Sequence, residues 1–430
     1  REGAVVFVMN HPNALVDPVF LLCLAPRRVS FLAKSTLFKM PVIKFLVRAL
    51  DAIPVYRKQD AGEDTSKNRE TFERAHALLK AGGTLGICPE GVSHNEASLR
   101  PLKSGAARIA LGAASSGSGQ DLRLSIVPAG LYYTSKTTFR SSALLYFGEP
   151  LAVPPVPPVA LDAGGEPPRE AVQELNGRIE TALREVTLNA EHHEALATIA
   201  RAERIFSAED DADDDSQSLT RELKLRRRFV EGYAFHRAQS PARIAALEAR
   251  ITKYEEELRQ AGFADPRDLS TVTLSRHAAT RHVIARFILF ILLAPLAVAG
   301  AVLHYPVYRL AGFLSTTFSK NYDDMISTIK IIAAMLFFPL TWIVLGVAAY
   351  VFKSWWAGAL LLVVVPLAGY VALRFSEEFD RFVGGVRALA FFITERGFFK
   401  QLLAERKAIR REILSLADEA TRAGALKTGV

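Results

Sequence analysis

Ala4-Val5-Val6-Phe7-Val8-Met9 runs directly into Asn10-His11-Pro12-Asn13-Ala14-Leu15-Val16-Asp17-Pro18. The first six residues read as a strand, and the next nine place a His and an Asp just beyond its end. Six positions on a regular helix turn through about 240°, so the two side chains would not share a face. They can touch only across a turn, which Pro12 and Pro18 favour. A His beside an Asp offers a general base whose tautomer and charge the carboxylate fixes. Taken alone, such a pair is more often structural than catalytic.

Outward from this stretch, short apolar runs alternate with helical ones, the pattern of an α/β domain. Strands are expected at Thr84–Cys88, Ser125–Ala129 and Leu144–Phe147. Between them Ser66 is an expected N-cap, and Phe72, Ala75 and Leu79 form one apolar face up to the Gly82-Gly83 stop. A second helix should begin near Ser104 and run to the Ser115–Gly119 linker. Arg1 stands almost against the first strand, which suggests that a further segment precedes it.

Three more constellations lie in this domain. Cys88-Pro89-Glu90-Gly91-Val92-Ser93-His94 follows a strand, and its Pro and Gly suit a loop whose backbone approaches a small polar substrate. Soon after, Pro101-Leu102-Lys103-Ser104-Gly105 sets a lysine at a helix start, either an anion site or an ordinary solvated lysine. Ile53-Pro54-Val55-Tyr56-Arg57 delivers one arginine at the end of an extended run, able to hold a phosphate but more commonly a surface ion pair. Val127-Pro128-Ala129-Gly130 by itself says only that a strand ends in a turn. Cys88 reads as a packing residue before a nucleophile.

In this order the four blocks resemble the glycerophospholipid acyltransferase family, which includes glycerol-3-phosphate, dihydroxyacetone-phosphate and 1-acylglycerol-3-phosphate acyltransferases. His11 and Asp17 match its first motif, Arg57 its second, Pro89-Glu90-Gly91 its third and Val127-Pro128 its fourth. Five residues separate His11 from Asp17 where the family usually has four. With Ser93-His94 and Pro101-Leu102-Lys103, that spacing looks most like the glycerol-3-phosphate/dihydroxyacetone-phosphate branch. Cys88 and Val92 replace the usual Phe and Thr of the third block, and Tyr56 stands where an Asp usually precedes the arginine.

The resemblance implies catalysis by His11 and Asp17, with Arg57, Glu90, Gly91, Lys103, Ser93, Asn10 and Pro128 around the substrate. It implies an acyl thioester donor (acyl-CoA or acyl carrier protein), a phosphorylated glycerol acceptor and no cofactor. A lysophospholipid acceptor, or a non-catalytic lipid-binding role, is the alternative.

Beyond this domain, taken as 1–152, a Pro/Gly linker spans 153–168 and an α-helical region spans 169–282. Val172, Leu175, Ile179, Leu183 and Val186 repeat every three or four residues, as do Ile244, Leu247, Ile251, Tyr254 and Leu258 between Ser240-Pro241 and Gly262. The acidic run from Glu209 to Asp215 reads as a solvated loop. Within 283–373, Ile331–Phe352 and Trp355–Leu373 carry no charge and are long enough to span a bilayer as a hairpin. Phe287–Leu303, shorter and holding Pro295, is expected to be re-entrant or interfacial rather than spanning. A basic helical tail, 374–430, follows. Arginines at 276, 281, 286, 374, 381 and 387 flank these segments, so both flanks should be cytoplasmic.

The expected architecture is therefore an α/β acyltransferase domain (a mixed sheet flanked by helices), an all-α region and a C-terminal transmembrane hairpin, in a multi-pass protein with its catalytic domain facing the cytoplasm. With 430 residues, half of them apolar and 23% charged, the chain is neither disordered nor fibrous. The +8 net charge suits anionic lipid or phosphorylated substrates, and no nucleic-acid partner is expected. Two cysteines, with no HExxH, CxxC or His/Cys cluster, support neither a disulfide framework nor a metal site.

Overall fold

A computed structural model describes residues 3–40, 43–57, 63–96, 98–115, 123–133, 135–138, 141, 143–154, 166–187, 193–207, 215–263, 266, 276–319 and 323–424. The linker residues 155–165 and the acidic residues 209–214 lie outside it. Contacts divide the chain into two compact units, Arg1–Glu191 with Tyr322–Thr328, and His192–Asn321 with Ile329–Val430.

The first unit is built on a mixed sheet of β1 (Ala4–Met9), β2 (Ser30–Lys34), β3 (Ile53–Val55), β4 (Thr84–Ile87), β5 (Leu124–Tyr133), β6 (Ala143–Phe147) and β7 (Leu151–Ala152), ordered β3-β2-β4-β1-β5-β6 with β7 also paired to β5. Strands β1 to β5 are parallel and the last two antiparallel. β1 is central because it is apolar on both faces, as a covered parallel strand must be. Val6 and Val8 face a core with Leu79, Leu85, Ile109, Leu111, Ile126 and Ile179, under helices α3 (Asn68–Lys80), α4 (Gly105–Ser115) and α5 (Arg169–Val186). Phe7 and Met9 face Leu21 of α1 (Val16–Leu24), with Phe31, Ala129 and Leu131.

Two sequence expectations change here. The apolar stripe of α5 packs on this sheet, so the helix belongs with the catalytic unit and not with the helical region. Gly130 allows that approach: a Cβ there would lie 1.8 Å from the Val186 carbonyl oxygen. Ser66 is not the cap of α3; it sits in a short 3-10 turn, Thr65–Lys67, and bonds Asp64. Asn68 opens the helix instead, exchanging hydrogen bonds of 2.9 and 2.7 Å with the Tyr56 backbone and fixing the residue before Arg57.

The second unit is helical among its described residues. α6 (His193–Ser207), α7 (Asp215–Gln239), α8 (Pro241–Gln260) and α12 (Arg396–Arg422) pack together, and the stripe of α8 meets Phe399, Leu402, Ile409, Ile413 and Leu416 of α12. Arg243 pairs with Glu412 and Glu419 at 2.7 and 2.8 Å, and Arg250 with Glu405 at 2.9 Å, across the same contact.

Three helices are long and apolar enough to cross a membrane: α9 (Arg276–Phe318), α10 (Asp323–Phe352) and α11 (Trp355–Thr394). The apolar part of α9 runs from Phe287 to Phe318, well past Leu303. It stays helical through Pro295 and Pro306, and one arginine at 309 does not end it. Phe290 stacks edge-on against Phe379, and Gly300 meets Ala368, so α9 and α11 run antiparallel. His304 is satisfied between helices, with Nδ1 2.8 Å from the Gly300 carbonyl and Nε2 accepting from Trp342 Nε1 at 2.9 Å.

Candidate active site

In a parallel sheet every strand delivers its last residues to the same edge. The chain places His11 after β1, the Cys88–Lys103 loop after β4, Arg57 after β3 and Tyr133 at the end of β5. β4 and β5 are the two neighbours of β1, so the Cys88–Lys103 loop and Tyr133 both converge on His11.

The turn that the spacing demanded is present. Val16 N–H donates to the Asn13 carbonyl at 2.9 Å, and Ala14 takes a positive φ of 38°, which folds the start of α1 back over the strand end. Asp17 thereby meets His11, with Nδ1 2.9 Å from Oδ2. Asp17 is fully buried, and Oδ2 also accepts from the Asn13 N–H at 2.7 Å. Nδ1 is engaged, so Nε2 is the nitrogen left for a substrate proton. Burial opposes charge on the imidazole, but the Cys88 side chain hydrogen-bonded to the ring and the Asp17 carboxylate outweigh it and hold His11 well above its ordinary pKa.

Glu90 is enclosed within its loop. It is 3% exposed, and its carboxylate is engaged by protein groups: Oε1 accepts from the His11 N–H and Oε2 from the Arg100 N–H, both at 2.9 Å, with the His94 ring also on Oε2. His94 N–H returns a bond of 3.1 Å to the His11 carbonyl. Glu90 therefore stitches its loop to the His11 backbone. The Asn10 amide is paired to the Leu131 backbone at 3.0 and 2.7 Å and ties β1 to β5. Pro128 is buried within β5, opposite Val8.

Two cations meet at Gly91. Arg57 Nη1 donates to the Gly91 carbonyl at 2.6 Å, and a Cβ on Gly91 would lie 2.6 Å from Lys103 Nζ. Gly91 has a φ of +75°, which favours glycine for conformation as well as for space. Lys103 is exposed, Arg57 and Ser93 are half-buried, and all three remain at the open side of the loop. Among the described residues, no group of three or more His, Cys, Asp or Glu side chains could hold a metal ion.

Sequence reasoning missed Tyr133, whose hydroxyl donates to Asp17 Oδ1 at 2.6 Å. The only local sign was an aromatic residue with a polar tip at the end of a strand. Its ring lies edge-on to Phe20, with centroids 5.8 Å apart.

Residues 1–132 match the acyltransferase family model, and residues 199–421 match that of the glycerol-3-phosphate acyltransferase 2 C-terminal domain. The chain is 30% identical to glycerol-3-phosphate O-acyltransferase 2 of Saccharomyces cerevisiae over 64% of its own length and 37% of that protein's. It is 29% identical to glycerol-3-phosphate O-acyltransferase 1 of the same yeast, over 80% of this chain and 56% of that one. An uncharacterized acyltransferase of Schizosaccharomyces pombe is 27% identical over 81% and 54%. The chain thus spans 37% to 56% of the length of these relatives. The crystal structure of a 1-acyl-sn-glycerophosphate acyltransferase from Thermotoga maritima aligns with 43% of this chain and 66% of that one, at 18% identity and a TM-score of 0.29, a likeness that carries no weight below. Matched over just over half its length by the C-terminal domain of glycerol-3-phosphate acyltransferase 2, behind an acyltransferase domain, the chain belongs to that family.

Proposed function

We propose that the protein transfers a fatty acyl group from an acyl thioester, of CoA or acyl carrier protein, to a hydroxyl of glycerol 3-phosphate or dihydroxyacetone phosphate. The observation that carries this is the His11–Asp17 pair, 2.9 Å apart at the end of the central strand, with the carboxylate fully buried behind the imidazole. His11 Nε2 takes the proton of the acceptor hydroxyl, and the freed oxygen attacks the thioester carbonyl carbon. The tetrahedral intermediate collapses by breaking the carbon–sulfur bond, and the departing thiolate recovers the proton from the imidazolium. No bond to the enzyme forms. Arg57 and Lys103, held at Gly91, bind the acceptor phosphate, and Ser93 lies on the same loop.

The donor's location implies that the catalytic unit faces the cytoplasm. The packing of α8 on α12 supports a matching topology for the rest of the chain. These helices precede α9 and follow α11, so they lie on one side of the bilayer and complete crossings between them come in an even number. One of the three apolar helices therefore does not traverse. The test of activity is acyl transfer by purified protein onto labelled glycerol 3-phosphate, with lysophosphatidate in parallel. Transfer to glycerol 3-phosphate, lost in His11→Ala, is expected. Transfer to lysophosphatidate alone would displace this acceptor.

A further inference from the structure

Asp17 carries its charge in a fully buried position, and among the described residues no lysine or arginine forms an ion pair with it. Three hydrogen-bond donors replace that missing cation. The Asn13 N–H and the His11 ring share Oδ2, at 2.7 and 2.9 Å, while the Tyr133 hydroxyl alone takes Oδ1, at 2.6 Å. The Tyr133 bond is the shortest of the three and spans 116 residues of sequence, from the end of β5 to the start of α1.

We propose that Tyr133 is the third member of the site, a positioning residue that holds Asp17 and sets the proton affinity of His11. The inference rests on the acyl-transfer reading above, in which His11 is the base. Tyr133 fixes the plane of the carboxylate, so that Oδ2 stays aimed at Nδ1. It also draws negative charge toward Oδ1, and that share is withdrawn from the bond to His11. A phenylalanine would leave Oδ1 without its donor in a dry site and concentrate the charge on the imidazole side. Imidazolium would then be favoured and the free base scarcer.

The other titratable groups facing this pair are Cys88 and Glu90, on the loop after β4, with His94 behind Glu90. They are unchanged by the substitution. Tyr133 cannot reverse its role by ionising: burial first, then the Asp17 charge and hydrogen bond, push its pKa far up, so it is a donor at every working pH.

The experiment is the pH dependence of kcat/KM for wild type, Tyr133→Phe and a protein carrying 3,5-difluorotyrosine at 133, with His11→Ala as control. Loss of the Tyr133 donor, of which only the part felt at His11 counts, should move the acid limb of Tyr133→Phe upward by about half to one pH unit. The fluorinated ring keeps the shape, donates more strongly and should move the limb downward. A limb that stays in place in both variants, while His11→Ala is inactive, overturns the role of Tyr133 and leaves the base intact. Full activity in His11→Ala would remove the acyl-transfer reading itself. Thermal midpoints of the variants separate a misfolded protein from a shifted one, because misfolding lowers the amount of active enzyme without moving the limb.

Discussion

His11 has two demands on it, and they pull apart. Asp17 makes the imidazole hold protons tightly, yet only the unprotonated ring can accept one from a hydroxyl. As pH falls through the raised pKa of His11, the ring is charged and kcat/KM must drop. Asp17→Asn removes the counter-charge, so its acid limb should lie at lower pH than wild type while its maximal rate falls; a limb displaced upward would contradict the assignment. His11→Ala should lower turnover by about 10²–10⁴-fold in a protein that still folds, the scale of a lost general base. Arg57→Gln and Lys103→Gln should each raise the acceptor KM by about 10- to 150-fold, the loss expected of a charged hydrogen bond, with the donor KM little changed. Steady-state kinetics with each substrate varied in turn decides this. The His and the Asp were legible because they lie six positions apart with prolines beside them. Tyr133 was not, because only the parallel pairing of β1 with β5 brings it to Asp17. The bonds of Glu90 to the His11 and Arg100 backbone were not legible for a related reason: a motif names a carboxylate but not which way it points.

At the scale of elements, legibility followed hydrophobic pattern. β1, β4, β5 and β6 announced themselves as apolar runs, whereas Ser30–Lys34 and Ile53–Val55 are too short or too mixed to stand out. α9 was underestimated because the apolar count stopped at Leu303, before His304, and the helix runs on through His304 and Arg309 to Phe318. Glycine contacts give a direct check on how elements approach one another. Gly130→Ala would drive a Cβ into the Val186 carbonyl, and Gly300→Ala would place one 2.1 Å from the Ala368 carbonyl. Each should destabilise by about 1–3 kcal/mol, as overpacking does. Gly312→Ala, where a Cβ meets nothing within 4 Å, should be harmless. Thermal midpoints of the three variants in one detergent would rank them, and equal values would mean that α9 and α11 are not so closely packed.

For the whole molecule, the shared core of α8 and α12 makes a prediction that charge counting alone made less firmly. With Cys23 and Cys88 replaced, single cysteines at the exposed Lys253 and Lys407 should react with an impermeant reagent from the same side of sealed vesicles. Reaction from opposite sides would mean an odd number of crossings and a different partner for α12. The position of β1 carries a consequence for how the protein is made. Ala4–Met9 form the centre of the sheet, yet their partners begin only at Thr84 and Leu124. At about 5–20 residues per second, Tyr133 follows Asp17 out of the ribosome by roughly 6–23 seconds. Within that interval the apolar strand lacks first both partners and then β5, and the future base waits for its loop and last for its aligned carboxylate. The nascent chain is inert and sticky together, needing shelter from its neighbours until β5 arrives and closes the sheet.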